Sequence, residues 1–229
     1  IKNNDNFIIS NFTNLSESCK TLLLEKKYVI YEHDHKYIRS RNPGLYKDFI
    51  APKEELVNIE FYKAATAVLC QSEFHKNVIH MNTGLDNLVN LSGNLWSIES
   101  LEYMRNISNI DKSGKHCILD SHIEHKNTRD AIRYCAAKEY DYVLISDKDY
   151  YSFLKKLGSN KCFVFLPKTP ETLSRVAVEA RMMNVSVITN NRVGAAKEKW
   201  FKLKGGELID KMIEKRTDIT EIVLGRLNE

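Results

Sequence analysis

The sequence predicts an α/β fold built on parallel sheets and divided into two bodies, and three observations carry that expectation. Short apolar or β-branched runs alternate with longer stretches of helical spacing from end to end, which reads as successive βαβ units. The stretch 82–96, rich in Asn, Gly and Ser, breaks the rhythm near the middle, as a linker between two lobes does. The chain has 229 residues, 43% of them hydrophobic, enough for one large domain or two small lobes with cores of their own.

The elements follow in order. Strands are expected at Phe7–Ser10, Tyr28–Glu32, Ala67–Gln71, Cys117–Asp120, Tyr142–Ser146, Cys162–Leu166 and Val185–Thr189. Each is short, apolar and bounded by polar residues. Helical spacing marks Glu17–Glu25, Lys53–Ala64, Ile98–Met104, Thr128–Lys138, Tyr150–Leu157 and Ser174–Met183, with one or two terminal helices over Gly206–Leu227. The division falls at 1–92 and 93–229. In parallel sheets ligands collect beyond the carboxyl ends of the strands, so functional residues are sought just after each strand.

The bulk numbers exclude several classes. The formal net charge of +4 with no long Lys/Arg run suits an anionic small ligand or an anionic membrane surface without calling for nucleic acid. The five cysteines form no C-x-x-C pair and several lie in apolar runs, as reduced, buried thiols of a cytoplasmic protein do. No signal-peptide pattern and no apolar run of transmembrane length is present. The chain opens at Ile1, so residues are expected ahead of it. There is no P-loop, no G-x-S-x-G and no G-x-G-x-x-G.

The window 163–190, "FVFLPKTPETLSRVAVEARMMNVSVITN", carries the chemistry. A strand, a polar loop, a helix and a second strand follow one another. The amides of Thr172, Leu173 and Ser174 fall where the helix should start, and a helix start offers unpaired N–H groups and partial positive charge to a phosphate. Glu171 stands in the loop, where a carboxylate can accept hydrogen bonds from sugar hydroxyls. Glu179 follows eight residues on, and an acid there can hold a ribose diol as in dinucleotide folds. Taken alone, Thr169-Pro170-Glu171 also makes an ordinary helix start, and Glu179 an ordinary surface acid.

This window resembles the nucleotide-sugar site of the GT-B glycosyltransferases, especially the retaining family 4. The resemblance rests on Glu171, seven intervening residues, Glu179, Ala180, and the strand ending in Val187-Ile188. Thr172-Leu173-Ser174 stand where that family usually has glycines flanking an aromatic. Upstream, "CILDSHIEHKN" matches a second family pattern through Lys126 and Asn127, with Asp120-Ser121 in place of its Gly-Arg. The turn Gly194-Ala195-Ala196 fits as well. The resemblance covers roughly Asn90 to Asp210, and the first lobe matches only loosely, being either naturally reduced or lacking its start.

The resemblance implies a GT-B-like fold, two Rossmann-like lobes facing a cleft, with a reduced N-terminal lobe on the acceptor side. It implies transfer of a sugar from a nucleoside-diphosphate sugar, UDP- or GDP-linked, to a hydroxyl acceptor such as a glycan or lipid, with retention and with no metal or other cofactor. Lys126, Asn127 and the Thr172–Ser174 amides would hold the diphosphate, Glu171 the sugar and Glu179 the ribose. His33, after a first-lobe strand, would face the cleft. The location implied is cytoplasmic, with peripheral membrane contact as an option.

Other readings stay open at this stage. Glu32, His33, Asp34 and His35 invite a metal, though on an extended segment His33 and His35 share one face with no third ligand identified. Asp147-Lys148-Asp149 after a strand is the metal–diphosphate motif of the GT-A fold. A sugar-nucleotide epimerase and a non-catalytic sugar-nucleotide binder also use GT-B architecture.

Overall fold

The computed structural model describes residues 1 and 3–228. The first sheet contains β1 (Asn6–Ile9), β2 (Lys27–Tyr31), β3 (Ala67–Cys70) and β4 (Leu88–Asn90) in spatial order β1-β2-β3-β4, all parallel. The second contains β5 (Ser113–Leu119), β6 (Tyr142–Ile145), β7 (Asn160–Phe165) and β8 (Ser186–Thr189) in order β6-β5-β7-β8, again all parallel.

Strands buried on both faces read as continuous apolar runs, and β2 shows why. Tyr28 and Ile30 enter one core with Phe61, Tyr62 and Ile79. Val29 and Tyr31, pointing the other way, enter another with Leu69, Ile219 and Val223. The second sheet repeats the pattern: Cys117, Phe163 and Phe165 face one cluster, Ile118 and Val164 another with Ala131 and Cys135. Cys70, Cys117, Cys135 and Cys162 are buried, and Cys19 is half-buried.

The helices around the first sheet are α1 (Glu17–Leu24), α2 (Ile59–Ala64) and α3 (Glu73–Thr83). Those around the second are α4 (Ile98–Ser108), α5 (Thr128–Ala137), α6 (Tyr150–Gly158) and α7 (Arg175–Met182). Four starts are closed by a side-chain oxygen accepting from a first-turn amide: Ser16, Ser72, Ser97 and Asp149.

Three sequence expectations need correction, and a fourth, the tail, resolves to one of its two options. The stretch 82–96 is not all linker, because β4 lies within it and pairs with β3. The helix expected over Lys53–Ala64 begins only at Ile59, after a single 3₁₀ turn at Lys53–Glu55. Helix α3 was not expected; it is a mostly polar helix capped by Ser72 and closed by Gly84 at φ +65°. The tail is one helix, α8 (Gly205–Asn228). Its first half packs Leu208, Ile209 and Met212 into the second lobe's core. Its second half packs Ile219, Val223 and Leu227 onto the first sheet. Among the described residues no helix is long and apolar enough to cross a membrane.

Candidate functional site

The carboxyl ends of the two sheets face each other across a cleft, and the loops leaving the strands line it. A cavity of about 420 Å³ opens there, walled on one side by His33, Asp34 and Arg41 and on the other by Lys126, Glu171 and Thr172. These residues follow β2, β5 and β7, as the parallel-sheet rule predicts.

Lys126 and Glu171 meet at the floor of the second lobe's wall. After β5 the chain makes a 3₁₀ turn at Glu124–Lys126, and Asn127 in the left-handed region (φ 61°) reverses it into α5. The Asn127 amide donates to the Leu166 carbonyl at 2.7 Å and so fastens this turn to the end of β7. Lys126 Nζ thereby reaches Glu171 Oε1 at 2.8 Å, beside the face of Phe165 at 5.8 Å.

Glu171 is held by its backbone. Its N–H donates to the Arg192 carbonyl at 2.8 Å and its carbonyl accepts from Gly194 N–H at 3.0 Å, an extended bridge to Val193. Helix α7 begins only at Arg175, with Ser174 as a left-handed cap (φ 72°) that makes no side-chain cap bond. Glu171 therefore lies outside the first turn, and the plain helix-start reading of Thr169-Pro170-Glu171 is set aside. The amides of Thr172, Leu173 and Ser174 find no acceptor among the described residues. Ser174 Oγ is buried without a hydrogen-bond partner, while the Leu173 side chain is fully buried in the second core.

Glu179 is not a surface acid. It is 4% exposed. Its Oε1 accepts from Trp96 Nε1–H at 2.9 Å and from the Tyr150 hydroxyl at 2.9 Å, and Arg175 Nε lies 3.6 Å away. Oε2 has no partner among the described residues. Burial, reinforced by the Glu179 carboxylate, pushes the Tyr150 hydroxyl well above its usual range, so Tyr150 stays a donor.

The first lobe contributes a different geometry from the expected one. The segment 32–37 is not extended: Glu32 is fully buried and pairs with buried Lys36, accepts from the Asp34 amide at 2.8 Å and takes the Tyr62 hydroxyl. This buried pair folds the chain back, so His33 and His35 diverge. His33 stays at the cavity rim, while His35 is buried between the Tyr37 hydroxyl at 3.0 Å and the Pro170 carbonyl at 3.1 Å. No group of three His, Cys, Asp or Glu side chains suited to a metal occurs among the described residues. Burial, then the cations Lys36 and Arg175, hold the His33 imidazole below its usual range, against the pull of Asp34. Burial also lowers His35, to about 4.

The two walls are joined. Ser72 Oγ donates to the Thr172 carbonyl at 2.6 Å, Thr172 Oγ1 lies 3.0 Å from Gln71 Oε1 and 3.1 Å from the His33 carbonyl, and Thr169 bonds Asn42. Gly194 permits this closeness. A Cβ there would stand 2.3 Å from the Thr172 carbonyl oxygen and 2.4 Å from Ser72 Oγ. These cross-cleft partners lie 100 or more residues apart, and no local sequence pattern announces them.

The acidic pair after β6 has other duties. Asp147 Oδ2 contacts Lys156 Nζ at 2.9 Å, and Asp149 caps α6 by accepting from the Ser152 amide at 2.7 Å. Ser121 donates its amide to Thr128 Oγ1 at 3.2 Å.

No protein-family model and no curated protein matches the chain. Solved structures do. Anabaena HepE in complex with UDP-glucose is similar over 96% of this chain and 71% of that one, at 13% identity and a TM-score of 0.51. The same protein with UDP and glucose gives a TM-score of 0.52 at the same identity and coverage. An α,α-trehalose-phosphate synthase (UDP-forming) from Burkholderia vietnamiensis is similar over 96% of this chain and 70% of that one, at 10% identity and a TM-score of 0.57. The chain has the fold of these structures: two parallel α/β lobes around a cleft, the GT-B arrangement.

Proposed function

We propose that the chain is a glycosyltransferase that moves a sugar from a nucleoside-diphosphate sugar to an acceptor hydroxyl, with retention and without a metal. The observation that carries it is the Lys126–Glu171 contact at 2.8 Å, set at the carboxyl end of the second sheet and facing His33 across the cavity. A cation, a carboxylate and free loop amides in one cleft can receive the three parts of such a donor. The fold shared with HepE in its complexes with UDP-glucose and with UDP and glucose supports the same reading.

In this proposal Lys126 leaves Glu171 for the diphosphate, aided by Asn127 and by the Thr172–Ser174 amides with unpartnered Ser174 Oγ. These donors meet negative charge that grows as the sugar bond breaks, which is where fixed dipoles lower a barrier most. Glu171, released, orients the sugar. Glu179 keeps Trp96 and Tyr150 on Oε1 and offers Oε2 to the ribose diol. His33 contacts the acceptor or sugar from lobe 1–92, and residues 93–229 bind the donor, with the end of α8 returning to the first sheet. The acceptor is a glycan, lipid or other hydroxyl compound rather than a nucleic acid. The buried thiols fit a reducing, cytoplasmic setting.

The test is a thermal-shift screen against UDP-, GDP-, ADP-, CMP- and dTDP-sugars, followed by product analysis. A ligand at 100 times its Kd should add about 2.7 kcal/mol of stability. Binding should survive EDTA, since Lys126 and amides stand in for a metal. Loss of binding in EDTA, restored by Mn²⁺ and abolished by Asp147→Ala, would establish a metal-dependent site instead. The lack of a basic side chain at Ser121 favours one second reading, a sugar-nucleotide binder without turnover, which binding with no product would identify.

Glu179→Gln tests the ribose assignment. Charged hydrogen bonds contribute about 1.5–3 kcal/mol, so affinity for the free nucleoside diphosphate should fall about tenfold or more. Gln keeps an oxygen for Trp96 and Tyr150, so the fold should persist. Unchanged affinity with a lowered melting temperature would make Glu179 a core acid only.

A further inference from the structure

We infer that Gln71 is a positioning residue: its side-chain amide holds His33 as the Nε2–H tautomer and ties that state, through Thr172, to the loop that carries Glu171. Gln71 follows β3 and is 4% exposed. Its backbone is pinned on both sides, the N–H by His75 Nδ1 at 3.2 Å and the carbonyl by Gly93 N–H at 2.9 Å. The side chain then spans the cleft, with Nε2 3.0 Å from His33 Nδ1 and Oε1 3.0 Å from Thr172 Oγ1.

An amide has two unlike ends. The NH₂ only donates and the oxygen only accepts. An NH₂ facing His33 Nδ1 requires a lone pair on that nitrogen, which puts the ring proton on Nε2. In that orientation the Thr172 hydroxyl gives its single proton to the Gln71 oxygen, and the His33 carbonyl 3.1 Å away goes without it. Reversing the amide would require the other tautomer, would make Thr172 accept from Gln71 and would free its proton for the His33 carbonyl. Amide orientation and His33 tautomer are thus one choice, made jointly by both walls of the cleft. The charges around His33 are Lys36, Arg175 and Asp34, and the two cations favour the neutral ring that this arrangement needs. His33 then presents an N–H donor to the cavity, suited to a hydroxyl or phosphate oxygen, and no base.

What the cavity holds rests on the glycosyltransferase reading; the tautomer does not. The experiment is a long-range ¹H–¹⁵N spectrum of the full chain with labelled histidine near neutral pH, with the His33 signal assigned by its loss in His33→Gln. We expect the wild type to show His33 as Nε2–H, Gln71→Ala to show mixed tautomers, and Gln71→Glu to move the ring toward the cation, titrating about one pH unit or more higher beside the new carboxylate. An Nδ1–H wild type, or one tautomer unchanged in all three proteins, overturns the inference. If a variant does not fold, an Nδ1–H wild type still overturns the inference, and Gln71→Asn, shorter by one methylene, takes the place of that variant. In the turnover arm, Gln71→Glu should lower kcat about tenfold or more, the scale of one misplaced hydrogen bond to a charged group, with nucleoside-diphosphate affinity unchanged. A Gln71-controlled tautomer in a chain that turns over no sugar nucleotide would keep this inference and overturn the transferase reading. Turnover with a tautomer indifferent to Gln71 would do the reverse.

Discussion

Glu171→Gln should lower turnover of a sugar-nucleotide donor about 30- to 1000-fold, the scale of about 2–4 kcal/mol for a polar contact that strengthens in the transition state. Gln retains the shape and still offers an oxygen to Lys126. The backbone bonds to Arg192 and Gly194 do not involve the side chain, so the loop should stay in place. The lost pair is partly solvated, Lys126 being 27% and Glu171 12% exposed at the side chain, and partly solvated pairs contribute little, under about 1 kcal/mol. Stability should therefore barely move. Affinity for the nucleoside diphosphate alone should hold or rise slightly, because Lys126 is less tightly held. Turnover, melting temperature and nucleotide affinity measured on the one variant separate the possibilities. Normal turnover per folded molecule would remove Glu171 from the reaction.

Lys36→Met should destabilise the fold by about 3–5 kcal/mol, because it leaves the Glu32 carboxylate buried without its cation. Glu32 has no exposed surface, and the Tyr62 hydroxyl and Asp34 amide that remain are neutral donors. Burial already raises the Glu32 carboxyl above its usual 4.5, against the pull of Lys36. Without Lys36 it rises further, and a raised carboxyl binds its proton more tightly in the folded than in the unfolded chain. Stability then falls as pH rises from about 4.5 through the folded value. The penalty should accordingly be larger at alkaline pH than in mild acid. The double variant E32Q/K36M removes the charge, keeps one oxygen for the Asp34 amide and turns an NH₂ toward the Tyr62 hydroxyl, which can accept as well as donate, so it should be more stable than K36M. Urea titrations at two pH values check both statements; a single variant costing under about 1 kcal/mol would show that Glu32 reaches water.

Much of this was legible in the sequence because strands buried on both faces must be apolar throughout. Tyr28–Tyr31, Ala67–Cys70 and Cys162–Phe165 announce themselves for that reason. β4 does not, since only Leu88 of its three residues is buried, and the surrounding Asn and Gly read as turn. Helix α3 hid behind polar residues, though Ser72 and Gly84 were a usable start and stop. At the site, Glu171 and Lys126 were found by pattern and are brought together 45 residues apart. The partners of Glu179 were not found, because Trp96 lies 83 residues away and nothing local marks it. Glu32 and Lys36 carried the i,i+4 spacing of a helical pair yet sit in a non-helical turn, where burial rather than periodicity decides the conformation.

The double allegiance of α8 has a mechanical consequence. Among the described residues two chain segments pass between the lobes, 91–97 and the middle of α8. They are fastened to each other: Arg216 donates to the Trp96 carbonyl, and the Lys215 side chain lies against Gly93. Two adjacent crossings bolted together act as an axle, and bodies joined by an axle swing about it far more readily than they slide or twist. Across the cleft the lobes are also joined by His35 on the Pro170 carbonyl and by Ser72 on the Thr172 carbonyl. A swing about the crossings would have to break these hydrogen bonds, while the helix keeps its two faces in register.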